Sequence, residues 1–124
     1  MKWLAVTDRK TGKVLGTCWL GKLNAKWCKA LGIGEPIELG YRYAKRHWGK
    51  GYAKEAARAM LRRGFEELNL LEIVAIVDIR NGASERVLQK LGMKYRSGAE
   101  CEGITIRFYS ITRDEFSSST WCGA

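Results

Sequence analysis

The 124 residues predict a mixed α/β domain with a βαβ unit at its centre, and three observations carry that prediction. A strand-like stretch, Ile37 to Tyr43, is followed by a long amphipathic stretch, Ala53 to Leu68, and then by a continuous apolar run, Glu72 to Val77. A hairpin pattern precedes this unit. An antiparallel pair, Met93 to Ser97 with Ile104 to Thr112, follows it. No internal repeat or low-complexity linker divides the chain, so residues 1–116 are expected to form one domain, with 117–124 as a disordered tail.

Taken in order, Trp3 to Val6 and Val14 to Leu20 flank a polar turn, Asp8 to Lys13, that contains Gly12, and this predicts a β-hairpin. Gly16 inside the second strand marks a bulge or kink. In the connection Gly21 to Pro36, Lys22, Lys26 and Lys29 interleave with Leu23, Trp27, Cys28 and Leu31, which fits a short helix ended by Gly32 and Gly34. Trp27 is read as a core anchor rather than a pocket residue, because large aromatics are mostly buried. In the next strand Ile37, Leu39, Tyr41 and Tyr43 share one face, and Glu38, Gly40, Arg42 and Ala44 the other. The long helix carries a stripe of Ala53, Ala56, Ala57, Met60, Leu61, Gly64, Phe65 and Leu68, with Asn69 ending it. Glu72 to Val77 fits a strand buried on both faces and parallel to Ile37–Tyr43. Asn81 is the expected N-cap of a short helix whose Ala83, Val87, Leu88 and Leu91 share a face, with Gly92 just beyond its end. The last two strands are expected to join through the polar stretch Gly98 to Gly103.

An apolar share of 46% with five Trp argues for a folded domain rather than a disordered chain. No apolar run reaches the ~20 residues needed to span a bilayer, and the N-terminus lacks the apolar core of a signal peptide, so a cytoplasmic protein is expected. Cys18, Cys28, Cys101 and Cys122 form no C-x-x-C, and His47 is the one histidine, so free thiols are expected and a metal site is not. The net charge of +9 suits a polyanionic partner, whether nucleic acid, membrane surface or a phosphate-rich cofactor.

The chemistry-bearing stretch is Arg46-His47-Trp48-Gly49-Lys50-Gly51-Tyr52, between the predicted strand and the long helix. The first turn of a helix leaves backbone N–H groups unpaired and adds partial positive charge. Gly49 and Gly51 let that backbone approach a ligand closely, and Arg46 and Lys50 add full charges, which are the parts of a phosphate cradle. The spacing is R-x-x-G-x-G: Tyr52 after Gly51 rules out the P-loop pattern, and Lys54 stands where a dinucleotide fingerprint needs its third glycine. Taken alone, the pattern also fits a basic strand-to-helix turn.

Further blocks resemble the GCN5-related N-acetyltransferase (GNAT) superfamily: Glu38 to Tyr41, Trp48 to Ala56, Asn81 to Ser84, and Val87 to Met93. The resemblance covers roughly Trp3 to Phe116 and is nearest to the branch that acetylates ribosomal-protein N-termini. It implies a GNAT-like mixed antiparallel and parallel sheet, acetyl-CoA as donor, and a primary amine of a protein N-terminus or small molecule as acceptor. It assigns coenzyme binding to Tyr43, Arg46, Trp48, Gly49, Lys50, Gly51, Tyr52, Ala53, Asn81 and Ser84. It also implies that the Ile37–Tyr43 strand splays from the Ile73 strand, leaving a slot for the pantetheine arm, with backbone N–H groups near Tyr41 to Tyr43 facing the developing oxyanion. Asn81 and Ser84 equally fit a simple helix cap.

An attacking amine must be neutral. At pH 7 a lysine with pKa ~10.4 is neutral about once in 2,500, and an α-amine near ~7.8 about one time in seven. By the same resemblance Glu38 is the candidate base, acting through water, or else a surface carboxylate, and Ser84 and Tyr95 are the candidate proton donors to the thiolate. The resemblance expects several dozen residues before the first hairpin, which build one wall of the acceptor site. Their absence is read as a minimal form, a fragment, or a chain completed by a partner, and a homodimer is expected. The loops Gly21 to Pro36 and Gly98 to Gly103 are expected to line the acceptor site. Two alternatives stand beside an acetyltransferase. One is a CoA-binding module without catalysis. The other is a basic nucleic-acid-binding protein, disfavoured because no recognised binding motif is present.

Overall fold

The structure, a computed structural model, describes residues 2–7, 10–43 and 52–118. The strands are β1 (Lys2–Thr7), β2 (Val14–Lys22), β3 (Ile37–Tyr43), β4 (Glu72–Asp78), β5 (Lys94–Cys101) and β6 (Ile104–Thr112). The helices are α1 (Ala25–Leu31), α2 (Tyr52–Glu66), α3 (Gly82–Lys90) and α4 (Arg113–Ser118). One sheet holds all six strands in the order β1-β2-β3-β4-β6-β5. β3 and β4 are parallel; every other neighbouring pair is antiparallel. The mixed sheet around a central βαβ unit is therefore as the sequence predicts.

Alternation along the strands divides the core into two layers. On one face Cys18, Leu20, Leu39, Ile73, Ala75, Val77, Tyr109 and Ile111 meet Ala57, Met60, Leu61 and Phe65 of α2 and Leu88 of α3. Gly64 lets α2 lie close here, since a Cβ would stand 2.7 Å from Ile73 Cδ1. On the other face Val74, Ile106 and Phe108 pack with Leu23, Trp27 and Cys28, so Trp27 is the anchor of α1, 7% exposed. β4 contributes to both layers, which explains its unbroken apolar run.

Local signals account for most boundaries. α1 is capped by Asn24, whose Oδ1 accepts from Lys26 N at 2.9 Å, and ends at Gly32 with φ 69°. Leu15 is the extra residue where the β1–β2 register shifts, beside Gly16, so the bulge falls next to the glycine that marks it. Asn69, at φ 55°, takes the left-handed conformation three residues after α2 ends.

Two expectations are corrected. Gly98 to Cys101 is not loop: these residues continue β5, pairing with Arg107 through Ile104, and the hairpin closes on Glu102 and Gly103 alone. Both have positive φ, 53° and 79°, the geometry of a tight two-residue turn. The other is α4, which includes Ser117 and for which the sequence reading has no helix. Thr112 and Glu115 form a reciprocal capping box: Thr112 Oγ1 accepts from Glu115 N at 3.1 Å, and Glu115 Oε1 accepts from Thr112 N at 2.9 Å. The Thr112 N–H, aided by Lys94 and Arg96, holds the Glu115 carboxyl well down, to about 2. Phe116 then seats against Phe65, ring centroids 5.2 Å apart.

Candidate functional site

The β3–β4 ladder consists of one bridge, Glu38 to Val74. Beyond it the parallel strands diverge toward their C-terminal ends. The gap is a pocket of about 140 Å³ lined by Trp19, Glu38, Leu39, Gly40, Tyr41, Ala75, Ile76, Ser84 and Leu88. Alternation sorts these residues by face. Leu39, Tyr41 and Ala75 belong to the face under α2 and α3, with Ser84 and Leu88 of α3; Trp19, Glu38, Gly40 and Ile76 belong to the opposite face. The slot thus connects the two sides of the sheet.

Each polar lining group has a definite environment. Burial pushes the Glu38 carboxyl up to about 7. The Tyr41 hydroxyl lies 2.8 Å from Ser84 Oγ and 3.1 Å from Ser84 O. Burial raises this phenol to about 12, against a smaller lowering by the Ser84 hydrogen bond, so it stays protonated at neutral pH. A half-ionisable carboxyl therefore stands on one side of the slot, and a hydroxyl pair on the other. Ser84 is placed by its cap: Asn81 Oδ1 accepts from Ser84 N at 3.0 Å, and Asn81 O accepts from Glu85 N at 3.1 Å. One residue on, Glu85 ties α3 to β6: Arg107 Nη1 donates to both its oxygens at 2.9 Å, and the Tyr109 hydroxyl donates to Oε2. The Tyr109 hydrogen bond and the Arg107 guanidinium lower the Glu85 carboxyl. Asn81→Ala should cost about 1 kcal/mol through loss of the cap. An unchanged urea midpoint in that variant would show that the cap contributes nothing.

The structure brings together two of the three candidate catalytic residues, Glu38 and Ser84. It does not bring Tyr95 to them. Tyr95 pairs with Tyr109 on the outermost strand, is 56% exposed, and packs edge-on against the Tyr109 ring at 5.9 Å. With β6 between β5 and β4, it stands two strands, roughly 10 Å, from the edge of the slot. The tyrosine at the slot is Tyr41, which the sequence reading uses only for its backbone. Its place on the inward face of β3 is legible; its bond to Ser84 depends on how α3 packs. The two loops expected to line the acceptor site meet each other: Lys26 Nζ lies 3.3 Å from Glu102 Oε2, and Trp27 shares a core cluster with Ala99 and Cys101. Among candidate coenzyme ligands, Tyr43 ends β3 opposite Gly16, and Tyr52 and Ala53 open α2. Arg46, Trp48, Gly49, Lys50 and Gly51 lie outside the described residues. Cys18, Cys28 and Cys101 are free, and burial raises the Cys18 thiol to about 12; Cys122 lies outside the described residues. Among the described residues no helix is long and apolar enough to cross a membrane.

Comparison with known proteins adds independent findings. The family model described as an acetyltransferase (GNAT) domain matches residues 1–94. The chain is 42% identical over 93 residues to the uncharacterized protein YkkB of Bacillus subtilis, covering 75% of this chain and 50% of that one. It is 42% identical over 90 residues to the FsC-acetyl coenzyme A-N(2)-transacetylase of Aspergillus fumigatus, covering 64% of this chain and 37% of the relative. So it spans half or less of the length of either relative. Among solved structures it is similar to a GNAT-family acetyltransferase from Bacillus anthracis, with 26% identity, a TM-score of 0.74, and coverage of 91% of this chain and 67% of that one.

Proposed function

The chain belongs to the acetyltransferase (GNAT) domain family, and from that premise we propose that it transfers an acetyl group from acetyl-CoA to a primary amine, on a protein N-terminus or a small molecule, across the slot between β3 and β4. The single observation that carries this reading is the slot itself, opened by a one-bridge ladder and lined by Glu38 on one face and the Tyr41–Ser84 pair on the other. Its apolar members Leu39, Ala75 and Leu88 suit a narrow aliphatic arm, and its hydroxyls suit a thioester end. Acetyl-CoA supplies the activated acyl group. The main-chain amides at the start of α2, with Arg46, hold its diphosphate. Glu38, half ionised near pH 7, takes a proton from the acceptor's ammonium, directly or through water, and the neutral amine then attacks the thioester carbonyl. Ser84, hydrogen-bonded to Tyr41, gives the departing sulfur its proton. Proximity in the slot supplies much of the rate. The same proposal carries cytoplasmic residence, which the free thiols suit, and a homodimer, for which the exposed Val14 and Leu71 offer apolar surface.

A thermal-shift series followed by a thiol-release assay tests this reading. Acetyl-CoA at 100 times its Kd should add about 2.7 kcal/mol of stability. Amines should then release free CoA thiol. Stabilisation without release would mean a binding module, and stabilisation by oligonucleotide alone would point to nucleic acid.

A further inference from the structure

Trp19 and Glu38 occupy one diagonal of a square whose other corners are glycines. Trp19 pairs with Gly40 and Gly21 with Glu38, so these four residues share the face of the sheet opposite α2 and α3. Diagonal neighbours on a sheet are within reach of a large aromatic. Gly40 makes this arrangement possible: a Cβ there would fall on the Trp19 indole, at Cε2 and Cζ2. The ring therefore lies over the β3 backbone at Gly40 and lines the slot together with Glu38. On the β4 side Glu38 meets Val74, fully buried, and Ile76.

We propose that Trp19, seated on Gly40, is the positioning residue that excludes water from the Glu38 carboxyl and so sets the proton affinity of the base. The assignment rests on the acetyltransferase reading for its catalytic meaning, but its physical content is independent of it. Burial is the one cause of the raised Glu38 value, so what covers the carboxyl decides it. The charged neighbours do not. Arg42 on β3 and Glu72 on β4 share its face and are exposed, and Lys22 on β2 alternates to the other face beside Glu35, 3.8 Å away. Lys26 and Lys29 of α1 are exposed. Tyr41, the other titratable group lining the slot, belongs to the opposite face and is protonated at neutral pH.

The test is a pH titration of the full chain by NMR with 13C-labelled glutamate, the Glu38 carboxyl being identified by its loss in Glu38→Gln. In the unsubstituted protein it should titrate near 7. In Trp19→Ala it should fall toward the ordinary ~4.3 of an exposed glutamate. Trp19→Phe, which keeps an apolar ring, should restore most of the elevation. Gly40→Ala, which displaces the ring without removing it, should move the value in the same direction as Trp19→Ala. A Glu38 value that stays near 7 in both Trp19→Ala and Gly40→Ala overturns the inference, whatever acetyl-CoA does. Failure of acetyl-CoA to stabilise the unsubstituted protein, with the carboxyl still falling in Trp19→Ala, would defeat the acetyltransferase reading and leave this inference standing.

Discussion

Glu38→Gln lowers kcat/KM by about 10²–10⁴-fold, the usual worth of a positioned general base, which corresponds to about 3–5 kcal/mol of barrier. The effect is separable from damage to the fold by its pH dependence. Burial raises the Glu38 carboxyl to about 7. The base is ionised above that value, so kcat/KM of the unsubstituted protein should fall tenfold per unit as pH drops below 7. In Glu38→Gln this limb disappears and only the acceptor amine's own titration remains. Stability moves the other way. A carboxyl whose folded value exceeds its unfolded ~4.3 favours the folded state fully below that unfolded value, and the contribution is lost as pH rises to about 7. The neutral glutamine should therefore be at least as stable as glutamate at pH 8. Lost activity with retained or increased melting temperature is the expected pair; unaltered activity with the limb near pH 7 intact would remove Glu38 from the chemistry.

Gly49→Glu should abolish stabilisation by acetyl-CoA, a loss of about 2.7 kcal/mol at 100 times the Kd of the unsubstituted protein. Gly49 belongs to the stretch between Tyr43, which ends β3, and Tyr52, which opens α2. A diphosphate held there relies on amide N–H groups approached without an intervening Cβ. Glutamate adds both bulk and a negative charge at that approach. Differential scanning fluorimetry with and without acetyl-CoA reads the effect. An undiminished shift would place the diphosphate elsewhere.

The sequence exposes the fold more fully than the site, and the reasons are local. The polar turn between β1 and β2, the alternating faces of β3 and the apolar run of β4 locate these strands without tertiary knowledge. The stripe from Ala53 to Leu68 and the Asn81 cap do the same for α2 and α3, although α2 ends at Glu66, two residues before the stripe does. α4 is written as clearly, in Thr112-x-x-Glu115, yet its six residues follow a strand without a break and carry only Phe116 as an inward apolar residue. The glycines and glutamates of Gly98 to Gly103 suggest loop, although Ala99 and Cys101 pack against α1 and keep β5 in register to the turn.

Candidate-site residues on the βαβ unit are legible because β3 alternates and α3 follows β4 directly: Glu38 and Ser84 both reach the slot. Tyr95 is misplaced for two reasons that no local pattern encodes. The sheet order sets β6 between β5 and β4, and the register shifts between Tyr95 and Ser97. Arg96, at that shift, binds Ser110 Oγ at 2.7 Å and Glu115 at 2.8 Å. The Tyr41–Ser84 contact spans 43 positions and arises from the packing of α3 on β3. The diagonal of Trp19 and Glu38 likewise appears only once Gly40 is paired with Trp19.

The central claim is that the divergence of β3 from β4 joins an acetyl donor on the α2–α3 side to an acceptor on the other. A crystal structure with acetyl-CoA bound tests it most directly. The thioester carbonyl should lie in the slot between Glu38 and the Tyr41–Ser84 pair, with the diphosphate at the start of α2. Coenzyme bound elsewhere on the surface, or a slot that stays empty at saturating acetyl-CoA, would contradict the account.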